Sequence, residues 1–489
     1  MLCRPGSRPL VISAVTLAIC SLLVWGANAL LLPSASSEAG WSTPAKAKAD
    51  VPASGTAVAG KPALTPAGYV YTSASGERIT DVVRRLWPQT EYMTRAELEA
   101  ALRSANHLER ATFLRPGQQV VVPGYETAPI AEKPLPAARD FEVRAIYLTG
   151  TMAGSRLGLD VVRRWREAGG NAVVFDIKDA DGILNVPFEH ALAGKTHAAI
   201  PNLPKYVRYL HRQNMRAIAR IALFRDERLV TEHPELAVRS KKSGQPWTEN
   251  GKLVWTDSSN RAVQEYNLAL AKYVAASGAD EVQFDYVRFP AEGDQKDAVF
   301  AFFTEHPTWR RADVITDFVK RGYVALHAAG VALSLDVFGI MAWQEKEDLA
   351  QTGQDVAELA RHCDIMAPMI YPSHFFNMEG YANPGDAPEH FISESMDRFR
   401  KVTSGSNVVL RPWLQAFAWR TKTYSVDYVI TQVRTAREHG GVGFQFWNAQ
   451  NSYPKPLLAM QEMRLASGKY FKGDELPGPS NTATPSASH

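Results

Sequence analysis

Several apolar runs in this chain end on side chains that can hold or pass a proton. The run "AVVFDIKDADG" closes on Asp176, Lys178, Asp179 and Asp181, "LFRDE" carries Arg225 and Asp226, "ADEVQFDYVRFP" carries Asp285 with Arg288 beyond, and "SLDVFG" carries Asp336. Later runs close differently: "PMIYPSHF" on Tyr371 and His374, "RPWLQAFAW" on Trp413 and Gln415, and "FQFWNAQNSY" on Trp447 and Asn448. Acids come first, aromatics and amides after. Pyranose rings stack their apolar faces on aromatic side chains and need amides and carboxylates at their hydroxyl rim. Cleaving a glycosidic bond needs two carboxyl groups, one protonated as acid and one ionised as nucleophile or base. The expected pair is Asp285 and Asp336. Asp176, Lys178, Asp226, Arg288, Tyr371, His374, Trp413, Gln415, Trp447 and Asn448 are the expected sugar contacts.

Those groups must be brought together by the elements that carry them. Strand-like runs occur at Val143–Leu148, Ala172–Ile177, Ala217–Ala222, Glu281–Tyr286, Val331–Val337, Ile365–Ile370, Val408–Leu414 and Val442–Phe446. Amphipathic stretches such as "LDVVRRWREAG" and "VITDFVKRGYVALHAAG" lie between them, several stopped by Gly after the last apolar turn. Eight successive β/α units with near-continuous apolar strands predict a closed parallel TIM (β/α)8 barrel. Its reacting groups sit at the C-terminal ends of the strands, where the acids fall. An open nucleotide-binding sheet needs a Gly-rich loop after the first strand, and "YLTGTMAGSRLG" has the wrong spacing. Adjacent strands lie about 5 Å apart, so Asp285 and Asp336 can face each other across a bond at either the retaining or the inverting separation.

Plainer readings stand beside these. Asp285 can pin the next loop through Arg288, and Asp176 with Lys178 can be a buried ion pair closing the barrel. The carboxylates of "DIKDADG" lack the spacing and terminal Glu of a helix-loop-helix calcium site, and no zinc spacing such as HExxH occurs, so neither metal nor cofactor is expected.

"VVFDIKDADG", "ADEVQFDYVRFP", "LDVFG", "DIMAPMIYPSHF", "LRPWLQAF" and "GFQFWNAQNSY" together resemble a bacterial family of TIM-barrel glycoside hydrolases first filed as a domain of unknown function. The likeness runs from about Val143 to Tyr453. By analogy with amylase-like barrels it implies Asp285 as nucleophile or base and Asp336 as acid. Chitinase-like barrels place the acid two residues past a strand-four Asp; that position is Val287 here, which argues against their mechanism.

The chain has 489 residues, 45% hydrophobic and 21% charged, the composition of a globular protein of two or three domains. A net charge of +3 without a basic run excludes a nucleic-acid partner. Residues 1–32 read as an export signal or a membrane anchor: Arg4 and Arg8 precede an apolar stretch to Leu32, with Ala27-Asn28-Ala29 offering a cleavage site. Residues 33–67 read as a disordered linker and 472–489 as a disordered tail. Residues 68–124 form a strand, helix, helix, strand unit in which "GERITDVVRRLW", Asn106 and "LRPGQQVVVP" resemble a LysM module, which implies binding to peptidoglycan or another N-acetylglucosamine glycan. With Cys3 and Cys20 in the first segment, Cys363 is left alone and is expected to be a small buried residue. The catalytic domain is expected over 140–470. Two functions follow: an exported cell-envelope glycoside hydrolase, periplasmic, extracellular or anchored outside the membrane and touching it only through the first segment, or a non-catalytic glycan-binding or scaffold protein. A sugar-phosphate enzyme lacks its Gly-rich loop: "GGVGFQFWNAQN" has its glycines before the strand.

Overall fold

The computed structural model describes residues 64–65, 68–74, 76–195, 198–466 and 469–471. The apolar N-terminal segment, nearly all of the linker and the tail lie outside them. Among the described residues no helix is long and apolar enough to cross a membrane. Two compact units divide at Ile130 and Ala131.

In the smaller unit, strands Gly68–Thr72 and Gln119–Val122 pair antiparallel, with helices Ile79–Leu86 and Arg95–Ala105 between them in sequence. Ile79, Val82, Val83, Leu98, Leu102, Val120 and Val122 make its core. Thr94 starts the second helix with a capping box to Glu97, which satisfies two otherwise orphaned N–H groups. Asn106 ties the helix end to the strand: its amide donates to the Leu102 and Val121 carbonyls and its oxygen accepts from the Val121 N–H, each at 2.7 Å. Leu64–Thr65 adds a short strand, so pairing begins inside the stretch expected to be linker.

The larger unit is the barrel. Its strands are β1 (Val143–Leu148), β2 (Ala172–Lys178), β3 (Arg216–Ala222), β4 (Glu281–Asp285), β5 (Ala332–Phe338), β6 (Ile365–Met369), β7 (Trp413–Gln415, preceded by Val409–Leu410) and β8 (Gly443–Trp447). All pair in parallel in the order 5-4-3-2-1-8-7-6, and β5 pairs with β6 to close the ring. Closure leaves no free sheet edge. The seventh strand is interrupted between Leu410 and Trp413, where Pro412 offers no N–H to the ladder. The stretch just ahead of β1 docks on the barrel. The Leu135 N–H donates to Asp280 at 2.5 Å, and Arg208 pairs with Glu132 at 3.0 Å.

Strand alternation divides the side chains between the helix shell and the barrel interior. On β4, Phe284 packs outward on Phe318 of the helix Arg311–His327, at 5.7 Å between ring centroids. Glu281, Gln283 and Asp285 therefore point inward, one per tier. Glu281 holds Arg411 in a buried pair at 2.8 Å, and Gln283 meets Gln445 across the interior at 3.4 Å. Asp285 occupies the top tier. Cys363 is buried, and burial raises its thiol well above the usual range.

Candidate active site

Register brings the two expected acids side by side. Leu335 of β5 lies opposite Phe284 of β4, so Asp336 and Asp285 are the next residues up each strand, facing the same interior. Two donors hold Asp285. One carboxylate oxygen accepts from the Arg220 guanidinium at 2.6 and 3.1 Å, and the other accepts from the Tyr286 N–H at 2.6 Å. Every contact on Asp285 is a donor, the environment of an ionised carboxylate. Tyr286 turns into the left-handed region, with φ of 50°, where the strand stops. For a bulky residue this conformation is strained, and such strain concentrates where a site is held in a set shape.

Asp336 is placed oppositely. Only 1% of it is exposed, and it accepts one hydrogen bond, from Trp413 Nε1 at 2.7 Å. Burial, followed by the negative charge of Asp285, raises its carboxyl well above the usual range and so favours its protonated form. One acid is clamped by donors and its neighbour is pushed toward its protonated form.

Arg220 and Tyr147 were not anticipated as site residues. Arg220, on β3, lies opposite Asp176 and bonds to Asp176 at 2.5 Å, to Asp179 at 3.2 Å and to Asp285. The Tyr147 hydroxyl donates to Asp176 at 2.5 Å. Burial raises the Asp176 carboxyl to about 7, against the pull of Arg220. Asp176 is 1% exposed and its oxygens are occupied, so it organises the site from below; the expectation of a direct sugar contact is corrected. A signal was present in both cases: a guanidinium inside "AIARIA" and a hydroxyl inside "RAIYL" each require a buried partner.

Lys178 and Asp226 are corrected more sharply. They pair at 2.7 Å, fully buried, and Lys178 also donates to Asn267 at 3.0 Å on the helix Arg261–Ala276. The cause is a bulge. Register shifts between Asp176 and Lys178, which turns Lys178 out of the barrel. Asp226 caps the following helix through the Leu229 N–H at 2.8 Å. Gly182, with φ of 80°, crosses so close that a Cβ would lie 2.0 Å from an Asp226 oxygen. The pair is the structural one. Asp226→Ala is expected to lower the unfolding free energy by about 3–5 kcal/mol in a denaturant titration, because it strands a buried ammonium. Lys178→Met with Asp226→Leu should recover most of that loss.

Arg288 does not touch Asp285. It packs against Phe338 at 4.4 Å and Trp255 at 4.8 Å, and donates to the Phe289 carbonyl at 2.9 Å. Gln415 and Asn448 are corrected as sugar ligands. The Gln415 amide is spent on Ser373, Phe417 and Thr421, and that of Asn448 on Ala416, Gln450 and Ser452, so both brace loops. Trp413, 2% exposed, serves Asp336 rather than a ligand. His374 lies among Tyr371, Phe417 and Trp419 at 5.1–5.7 Å, and burial, then Arg420, lowers its pKa to about 3, so it stays neutral. Tyr371 and Trp447 stand 5.6 Å apart, and Trp447 meets Phe417 edge-on at 5.4 Å. Trp447 at the end of β8 and Phe417 and Trp419 in the loop after β7 are half-buried and present ring surface across from the acids. Phe417 and Trp419 were missed because they lie past the strand end. Among the described residues no group of three His, Cys, Asp or Glu side chains could hold a metal ion.

A closed parallel barrel with coupled carboxyl groups at its C-terminal mouth and aromatic rings opposite defines a glycoside hydrolase type of domain. Residues 145–453 match the family described as "Putative glycosyl hydrolase domain", and the chain belongs to that family. It is similar to a hypothetical protein from Ruminiclostridium thermocellum ATCC 27405 at 32% identity and a TM-score of 0.34, covering 39% of this chain and 97% of that one. It is also similar to the PgaB (BpsB) glycoside hydrolase domain from Bordetella bronchiseptica, at 14% identity and a TM-score of 0.49 over 66% of this chain and 98% of that one. A third likeness is to the catalytic domain of β-amylase from Paenibacillus polymyxa, at 11% identity and a TM-score of 0.43 over 67% and 98%. No curated protein matches the chain.

Proposed function

We propose that the chain is an exported cell-envelope glycoside hydrolase that cleaves a polysaccharide with two carboxyl groups, Asp285 as nucleophile or base and Asp336 as acid. One observation carries the reading: two carboxyls on adjacent strands, one clamped by Arg220 and the Tyr286 N–H and the other buried beside it, which favours its protonated form. Two carboxyls in environments this different are suited to acid and base roles. Trp447, Phe417 and Trp419 supply a stacking face for the sugar. Export rests on the apolar run behind Arg4 and Arg8, and retention at the envelope on that run or on the small unit acting as a LysM-like glycan binder.

The test is release of reducing ends from a panel of purified polysaccharides. Asp336→Asn should lower kcat by roughly 10²–10⁴-fold and remove the alkaline limb of the pH profile, since activity requires the protonated acid and fails as pH rises through its pKa. Exposure favours a second assignment of the acid: the Asp179 side chain is 21% exposed and also reaches Arg220, whereas Asp336 is 1% exposed. If Asp179→Asn removes the alkaline limb and Asp336→Asn does not, the role passes to Asp179. Glycan binding without release of reducing ends by the unaltered chain would favour the non-catalytic reading.

A further inference from the structure

Five arginines are buried among the described residues: Arg144, Arg220, Arg225, Arg288 and Arg411. Three are matched by carboxylates, Arg144 by Glu142 at 3.0 Å, Arg220 by Asp176 and Asp285, and Arg411 by Glu281. Among the described residues, Arg225 and Arg288 have no carboxylate within 4.0 Å. Both lie against the ring of Tyr286, their guanidinium carbons 5.7 and 5.5 Å from its centre. Arg225 is 3% exposed and its Nε has no hydrogen-bond partner. Its neighbour Asp226 is already taken by Lys178 and the Leu229 N–H. The Arg288 guanidinium makes one hydrogen bond, and Glu249 and Glu292 act on it only from beyond ion-pair reach.

A guanidinium withdrawn from water without a partner costs stability, so the free protein is the poorer for it. Both residues follow strand ends at the mouth, Arg225 after β3 and Arg288 after β4, and Tyr286 between them adjoins Asp285. Arg225 packs on the ring of Tyr286, whose backbone N–H is bonded to Asp285, so one residue separates this guanidinium from the candidate nucleophile or base. A planar fork of N–H donors suits a carboxylate or a phosphate, each of which offers paired oxygens.

Resting on the reading that this mouth binds a glycan, we propose that Arg225, supported by Arg288, forms an oxyanion subsite beside Asp285, so that the sugar seated there bears a carboxylate or a phosphate. The substrate class is then an acidic polysaccharide. Neutral glucans and chitin-type glycans are poor ligands for this position.

Calorimetric titration of the full chain tests this with trimers of galacturonate, glucuronate and mannuronate, their methyl esters as neutral counterparts, and maltotriose against phosphorylated maltotriose. At least one charged trimer should bind about ten-fold or more tightly than its neutral counterpart, with the advantage shrinking in salt. Preference among the uronates points to a carboxylate, and preference for the phosphorylated sugar to a phosphate. Arg225→Met should erase the advantage and raise the melting temperature of the free protein, while Arg225→Lys keeps part of the advantage. The proposal is overturned if no charged trimer outbinds its neutral partner, or if Arg225→Met retains the preference. It is equally overturned if Arg225→Met melts lower or fails to fold, because a cation reserved for a ligand must be dispensable in the free protein. Acid preference without release of reducing ends would refute the hydrolase and leave this subsite standing.

Discussion

Asp285→Asn is expected to lower kcat by roughly 10²–10⁴-fold, with glycan binding retained. The substitution keeps shape and removes charge. Asp285 accepts on one oxygen from Arg220 and on the other from the Tyr286 N–H. Asn has a single acceptor oxygen, so its NH2 must face one of those donors. The variant loses its nucleophile or base and also loosens the turn that begins at Tyr286, whose left-handed backbone depends on that clamp. Reducing-end assays report the first effect and thermal melts the second. Unchanged turnover would remove Asp285 from the chemistry.

Arg220→Met should have an effect on stability as large as that of Asp226→Ala. One guanidinium serves Asp176, Asp179 and Asp285, and its loss strands buried carboxylates at a cost of about 3–5 kcal/mol, measured by denaturant unfolding. The deficit should depend on pH. Burial already raises Asp176 to about 7, and Arg220 opposes that rise, so without Arg220 the carboxyl moves higher still. A carboxyl whose folded pKa lies above its unfolded value costs stability as pH climbs between the two values. In the variant that climb continues past the point where the unaltered protein levels off, so the deficit should be larger at pH 8 than at pH 5. A pH-independent deficit would contradict the assignment. Arg220→Lys should not rescue activity, because a single ammonium cannot span acids on β2 and β4 as the forked guanidinium does.

The barrel was legible in the chain because its strands are buried on both faces and most read as near-continuous apolar runs. All eight expected strands overlap observed ones, most with ends within a residue or two. The docking of Leu135 on Asp280 depends on contacts across the fold and left no local signal, whereas the break in β7 had one in Pro412. The candidate acids were legible in part for the same reason as the strands: a carboxylate closing an apolar run stands out. Lys178 was misjudged because strict alternation places it beside Asp176, and one inserted residue reverses its side. Gln415 and Asn448 have side chains suited to a sugar, and their hydrogen bonds to neighbouring loops use those groups up.

Local composition therefore decided the order of strands and helices and set the acids at strand ends, since burial on two faces selects residues one position at a time. Tertiary structure decided which acids meet, which is clamped and which is pushed toward its protonated form. Register between β4 and β5 set Asp336 beside Asp285, and closure of the ring buried both with Arg220 in one interior. Those relations join residues far apart in the chain, and electrostatic roles depend on distance and burial in space, which no stretch of residues carries alone.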